Sequence, residues 1–352
     1  MNSSPVQTSR LHATIEEWRL REPFRITGHV WHVLRVLRVF AEMDGYVGEG
    51  EAAGVYFRGE TASSMFKSFE TLRAATSERI DRTLVQTLLP PGGVRNALDC
   101  ALWDLEAKVT GHPVWELLGL QTPRALLTTF GCGADTPEKM ASVARSYSQA
   151  RAIKLKLTGD PVDADRVLAV REVQADAWLG VDANQGFTRP KLEQLLPTLL
   201  KSNVSLIEQP FMVGEEALLD GFDSPIPIAA DESAQTLSDI PRLAGRFDVV
   251  NIKLDKSGGL SEAFAAARLA HASGLETMIG NMIGTSLAMA PAFLVGQLCS
   301  VVDLDGPIFL TADRAIPASY SDGFLYCPAK LWGAPQGPSN KGARVEPSRL
   351  PE

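Results

Sequence analysis

The chain has 352 residues, 34 basic and 42 acidic side chains, a formal net charge of −8 and 45% hydrophobic residues. That balance excludes wholesale disorder and fibrous classes, and the acidic excess argues against a general nucleic-acid binder. No uninterrupted apolar run approaches the roughly 18–20 residues of a membrane span.

The start, Met1-Asn2-Ser3-Ser4-Pro5, lacks the charged and apolar regions of a signal peptide. Residues 8–54 read as strands and turns. The segment 33–40 is rich in β-branched and apolar residues, and Gly45 and Gly48 mark turns. Residues 60–120 read as helical. The segment 95–107 has apolar residues at helical spacing, and Gly111 and Pro113 end it. Residues 1–122 thus form an α+β unit.

A regular pattern follows over residues 123–317. Short apolar runs recur at 126–130, 153–157, 179–182, 205–208, 226–231, 249–254, 277–280 and 300–303. Reference positions 129, 154, 182, 208, 231, 253, 280 and 303 lie 22 to 28 residues apart. Helix-like stretches separate them, such as 163–173 and 261–272, the latter with Ser261 as its cap. Eight strands separated by seven helices predict an α/β barrel, (β/α)7β, a modified TIM barrel carrying the α+β unit as a cap. A doubly wound open sheet is disfavoured by the number of units and by the missing glycine fingerprint. No long helix follows the eighth strand. Residues 318–352 are therefore expected to return to the small domain, with a mobile tail from Gly337.

The four cysteines, Cys100, Cys132, Cys299 and Cys327, are scattered without CxxC spacing. They read as reduced thiols in a cytoplasmic protein. The five histidines form no zinc-ligand spacing. Any metal must then be held by carboxylates.

In such barrels the catalytic groups sit at the carboxyl ends of the strands. The second strand carries Lys154-Leu155-Lys156. The third, fourth and fifth end in Asp182, Glu208 and Asp231, and the sixth carries Lys253. A helix cap or a salt bridge accounts for any one of these acids. Three on consecutive strands converge on one mouth, where burial is costly unless they are paired or metal-bound. Without histidine or cysteine partners, a hard cation such as Mg²⁺ fits best. Alternation puts Lys154 and Lys156 on one side, towards the interior. Two close ammonium groups and burial should both lower a lysine pKa towards the range of a base. Lys253, four strands away, faces them across the metal. That arrangement fits removal of a proton beside a metal-bound carboxylate, giving a stabilised enediolate, and return of a proton to the opposite face.

At these residues the sequence resembles the enolase superfamily, within the muconate-lactonising-enzyme subgroup. The resemblance covers nearly the whole chain. It implies Asp182, Glu208 and Asp231 as Mg²⁺ ligands, Lys156 and Lys253 as the acid/base pair, and Lys154 as the group that tunes Lys156. It also implies two capping loops over the substrate, at 24–31 and 55–60. These place Gly28, His29 and Tyr56 against it, as the segment Gly280-Asn281-Met282-Ile283-Gly284-Thr285 places Met282. Asp303-Leu304-Asp305 after the eighth strand resembles the signature of dipeptide epimerases, where it binds the free ammonium. Two carboxylates suit a cation and repel a succinyl group. The implied activity is a two-base epimerisation of the C-terminal residue of a dipeptide. An N-succinyl or N-acyl amino acid racemase and an o-succinylbenzoate synthase of the same subgroup are the alternatives. The implied partner is a small-molecule dipeptide, with neither nucleic acid nor membrane; homo-oligomerisation stays open. Two departures stand out. Gly28 occupies the position of the arginine that pairs with glutamate in Ala-Glu members, which leaves Arg25 or His29 as substitutes, or a pocket for another side chain. Gly131 replaces a common threonine, which leaves space.

Overall fold

The computed structural model describes residues 6–76 and 79–337. The N-terminal pentapeptide and the tail beyond residue 337, where a leader was discounted and mobility expected, lie outside them.

The N-terminal unit opens on a long antiparallel hairpin, β1 (Arg10–Ile26) and β2 (His29–Met43), followed by β3 (Tyr46–Ala52). Asp44 and Gly45, both at positive φ, make the tight Asp-Gly turn between β2 and β3. Gly48 does not mark a turn: it lies inside β3. A Cβ there would stand 2.1 Å from the Ala101 carbonyl oxygen, and one at Gly50 would stand 2.0 Å from that of Ala97. The two glycines let a helix lie directly on the sheet. The helices are α1 (Ala62–Thr76), α2 (Arg82–Leu88), α3 (Gly93–Thr110) and α4 (Val114–Leu117). Helix α3 is the one pressed onto β3, and it ends at Gly111 in the left-handed conformation that glycine favours. Pro113 then caps α4.

The second unit holds an eight-stranded parallel sheet and a separate three-stranded antiparallel one. Its elements are β4 (Leu126–Leu127), β5 (Phe130–Cys132), α5 (Pro137–Ser146), β6 (Ala152–Lys156), α6 (Asp163–Val173), β7 (Trp178–Asp182), α7 (Arg189–Lys201), β8 (Val204–Glu208) and β9 (Ile228–Ala230). They continue through α8 (Ile240–Leu243), β10 (Val249–Ile252), α9 (Leu254–Ser257), α10 (Leu260–Ala272), β11 (Glu276–Ile279), α11 (Ser286–Gly296), β12 (Val301–Val302), β13 (Ser319–Ser321) and β14 (Phe324–Tyr326). Strands β5 to β12 are neighbours in chain order. The Thr129 N–H donates to the Val302 carbonyl at 2.9 Å and joins the first strand to the last. The fold is the modified TIM barrel with an N-terminal α+β domain.

Three further sequence expectations need correction. The first barrel strand is Phe130–Cys132; the apolar pair Leu126–Leu127 joins a separate sheet with β14. Two crossovers lack a full helix. A 3-10 turn, Glu216–Leu219, leads to β9, and a 3-10 turn with the one-turn α8 leads to β10. Gly214, Gly221, Pro225 and Pro227 interrupt the first of these. Helix α10 is capped by Gly259, not by Ser261. The N–H and hydroxyl of Ser261 both donate to Asp99 of α3, so a carboxylate of the other unit does the capping.

Apolar side chains fill the layer between strands and helices. The barrel interior holds a small apolar plug of Leu206, Ala229, Val249 and Met278. Above it the interior turns polar. After β14, the Trp332 indole N–H donates to the Glu49 carbonyl and the Gly333 N–H to Asp104, both in the N-terminal unit.

Candidate active site

Parallel register assembles the site. Lys156 pairs with Asp182, Asp182 with Glu208, and Glu208 with Ala229, so three charged side chains share one rung of the sheet. Alternation brings Lys154 to the same side one step below. Asp231, just past β9, joins them. Carboxylate oxygens of Asp182, Glu208 and Asp231 lie within 4.8 Å of one another, and all three residues are fully buried. An all-oxygen set without nitrogen or sulfur donors fits a hard divalent cation such as Mg²⁺.

Lysines surround the acids. Lys156 Nζ lies 2.5 Å from Asp182. Lys253 Nζ lies 2.6 Å from Asp231, and Lys256 Nζ lies 2.6 Å from that residue's other oxygen. Lys154 Nζ contacts Asp303 and lies 3.1 Å from Glu208. The expectation that crowding by its neighbour would lower a lysine of the Lys154/Lys156 pair fails for Lys154. Burial alone would depress Lys154, but Asp303, Glu208 and Asp182 outweigh it and hold its pKa well above the ordinary value. Lys253 is likewise raised, because Asp231 and Glu208 override burial. Lys256 is lowered, since burial dominates there. The acids respond in kind. Burial, reinforced by Asp182, pushes Glu208 up, whereas Lys253 and Lys256 hold Asp231 well below the carboxylate range against burial.

Asp303 and Asp305 are buried at the end of the last strand. Asp303 takes the Lys154 ammonium and the Thr129 hydroxyl. Asp305 accepts the Gly131 N–H at 2.6 Å. The space expected beside Gly131 is filled: a Cβ there would meet Asp305 Oδ2 at 2.9 Å and the Phe309 ring at 3.3 Å. Glycine is what lets the carboxylate reach the backbone. Burial and the neighbouring Asp303 raise Asp305.

A cavity of about 450 Å³ lies over this cluster, and both Lys156 and Lys253 line it. His29, Tyr56 and Met282 line it too. Gly28, Asp303 and Asp305 are not among its lining residues. Gly28 is the tip of the hairpin, at φ 72°, with nothing within 4 Å of where its Cβ would be. The segment 24–31 is not a free loop: Phe24 pairs with Trp31, Arg25 with Val30 and Ile26 with His29. The Thr27 hydroxyl docks this tip on the barrel, 3.1 Å from the Leu157 carbonyl and 3.3 Å from that of Ala183. At residues 55–60 a 3-10 turn presents Tyr56. Burial and then Glu232 raise its phenol pKa.

Several site residues escaped the sequence reading as functional. Asn251, two residues before Lys253, points inward by alternation and donates to Glu208 at 2.7 Å. Glu232 is buried beside Asp231, with one oxygen unpartnered. Gln209, at φ 37°, accepts from the N–H groups of Asp231 and Ser233 and fixes that strand end. Asn281 lines the cavity and donates to the Asp303 carbonyl. A polar residue in an apolar run was the available signal for Asn251. Nothing local marks Gln209.

Comparison with known proteins adds to this geometry. Residues 9–119 match the mandelate racemase / muconate lactonizing enzyme N-terminal domain, and residues 138–330 match the enolase C-terminal domain-like family. The chain is 36% identical over 313 residues to the L-Ala-D/L-Glu epimerase of Escherichia coli K12, covering 88% of this chain and 97% of that one. It is 40% identical over 274 residues to an N-acetyl-D-glutamate racemase of Pseudoalteromonas, covering 78% and 86%. A crystal structure of an enolase family member from Agrobacterium tumefaciens, with homology to dipeptide epimerases and with bound sodium and L-Ala-L-Glu, superposes with a TM-score of 0.88. Its sequence identity is 35%, over 92% of this chain and 99% of that one.

Proposed function

The chain belongs to the mandelate racemase / muconate lactonizing enzyme family of enolase-like proteins, and on that premise we propose that it is a Mg²⁺-dependent dipeptide epimerase. It inverts the α-carbon of the C-terminal residue by a two-base 1,1-proton transfer. One observation carries this reading: Lys156 and Lys253 come from strands four positions apart and line one cavity beside the acidic triad.

Asp182, Glu208 and Asp231 would hold the cation. Bound there, it would offset the charge that gathers on the substrate carboxylate as the α-proton leaves. Lys156 removes the proton from one face, and Lys253 as an ammonium delivers one to the other. Lys154, locked between Asp303 and Glu208, stays charged and acts on Lys156 through its field. Asp303 and Asp305 stand behind Asn281 and draw the free ammonium of the dipeptide to that end of the cavity. Asn184 lines the same cavity, with its carbonyl oxygen unpartnered and aimed at no protein donor.

The test is incubation with L,L-dipeptides in deuterated water. Gain of one mass unit at the C-terminal residue, with appearance of the L,D epimer, is the expected result. No exchange with any dipeptide in the presence of Mg²⁺ refutes the proposal. The Pseudoalteromonas relative supports a second reading, an N-acyl amino acid racemase. Replacing Asp305 by Asn, which leaves the Lys154–Asp303 pair in place, separates the two. A dipeptide epimerase loses most of its activity, whereas a racemase keeps its N-acyl substrate.

A further inference from the structure

Three rings from two chain segments meet in the wall of the cavity that the lysines line. The His29 and Trp31 centroids are 4.1 Å apart, and the Tyr56 ring stands edge-on to Trp31 at 5.1 Å. Ile26, Met282 and Ile283 continue that wall. Cationic groups are scarce there. Besides Lys156 and Lys253, Arg35 is the one Lys or Arg among the described lining residues. Its side chain is 69% exposed and pairs with Glu17 at 2.9 Å. Arg25 points elsewhere: it pairs with Asp135 at 3.5 Å and lines a different cavity. The one lining carboxylate, Glu60, accepts the Val55 and Gly93 N–H groups.

A planar reaction centre held between two lysines leaves three directions in its plane. The carboxylate takes the one towards the acids, and the amide nitrogen the one towards Asn281. The side chain of the residue being inverted is left with the third, against the rings. A carboxylate there would be desolvated with no Lys or Arg of its own, and His29, the remaining substitute for the missing arginine, is exposed and packed against the Trp31 ring. An ammonium would find no free carboxylate. An apolar group exchanges water for ring faces.

We infer that the residue inverted by this protein carries an apolar side chain, aromatic or branched aliphatic, received by Trp31 and Tyr56. The inference rests on the epimerase reading and narrows it. The experiment is a comparison of kcat/KM, read by α-deuterium exchange, for L-Ala-L-Phe, L-Ala-L-Leu, L-Ala-L-Glu, L-Ala-L-Lys and L-Ala-L-Ala. The apolar pair should lead Glu and Lys by about tenfold or more. In Trp31→Ala the ratio of L-Ala-L-Phe to L-Ala-L-Ala should fall about tenfold, and Trp31→Leu should restore most of it for L-Ala-L-Leu. A lead for Glu or Lys, or an unchanged ratio in Trp31→Ala, overturns the inference while leaving the epimerase reading standing. Absence of exchange with every dipeptide overturns both.

Discussion

The floor and the roof of the lysine-lined cavity are built by different means. On the floor, barrel register fixes each lysine and metal-ligand candidate, and Lys154, Lys156, Lys253 and Lys256 each meet a carboxylate. The roof comes from the other domain. It consists of rings on a hairpin tip and a 3-10 turn, tied to the barrel by a few polar contacts. Among these are Thr27 to two carbonyls, Arg25 to Asp135, Gly54 N–H to Asp255 at 2.8 Å, and Arg58 to Gln235 at 2.7 Å. Buried charge demands partners from several rigid elements at once, because one missing partner is expensive. Shape selection does not, so it can reside on segments that change without disturbing the chemistry.

The largest expected effect is on the floor. Asp231→Asn removes a proposed metal ligand and leaves Lys253 and Lys256 short of a charge. Mg²⁺-dependent exchange should vanish, and unfolding by urea should show a loss of about 3–5 kcal/mol. Retention of stability would mean that the lysines do not depend on the acids.

The strut between the domains comes next. Asp99 of α3 is fully buried, and burial raises its pKa to about 6. The folded protein therefore binds this proton more tightly than the unfolded chain, whose value is near 4. The associated stability is present below about pH 4 and lost as pH rises through 6. Wild type should lose about 3 kcal/mol relative to Asp99→Asn across that window, read from denaturation at a series of pH values. A flat difference breaks the account of the strut.

The smallest effect concerns the roof alone. Thr27→Ala removes the hydroxyl that docks the hairpin tip and should cost about 1 kcal/mol. KM should rise several-fold with kcat little changed. A fall in kcat of the size expected at the floor would show that roof and floor are not separable.

The floor was legible in the sequence because charged residues follow apolar runs at a barrel period. That period survives small errors: the first apolar run, 126–130, reaches the first barrel strand only at Phe130 while its start pairs with β14, and the count of eight still holds. What depends on a partner distant in sequence was not legible. Gly48 reads as a turn until α3 lies on it, and Ser261 reads as a cap until Asp99 reaches across from the other domain. The raised pKa of Lys154 follows from acids on other strands, so counting its neighbouring lysine gave the wrong direction. Trp31 falls in the capping segment 24–31, but nothing local singles it out there. It becomes part of the roof only because Tyr56 meets it.

The account turns on two lysines serving opposite faces of one carbon. The direct measurement is α-deuterium exchange by Lys156→Ala and Lys253→Ala, each given the L,L and the L,D epimer of a turned-over dipeptide. Epimerisation should fall by about a thousandfold or more in both. Each variant should still exchange the proton of one epimer, and the two variants should differ in which. Full epimerisation by either variant, or exchange of the same epimer by both, would contradict the account.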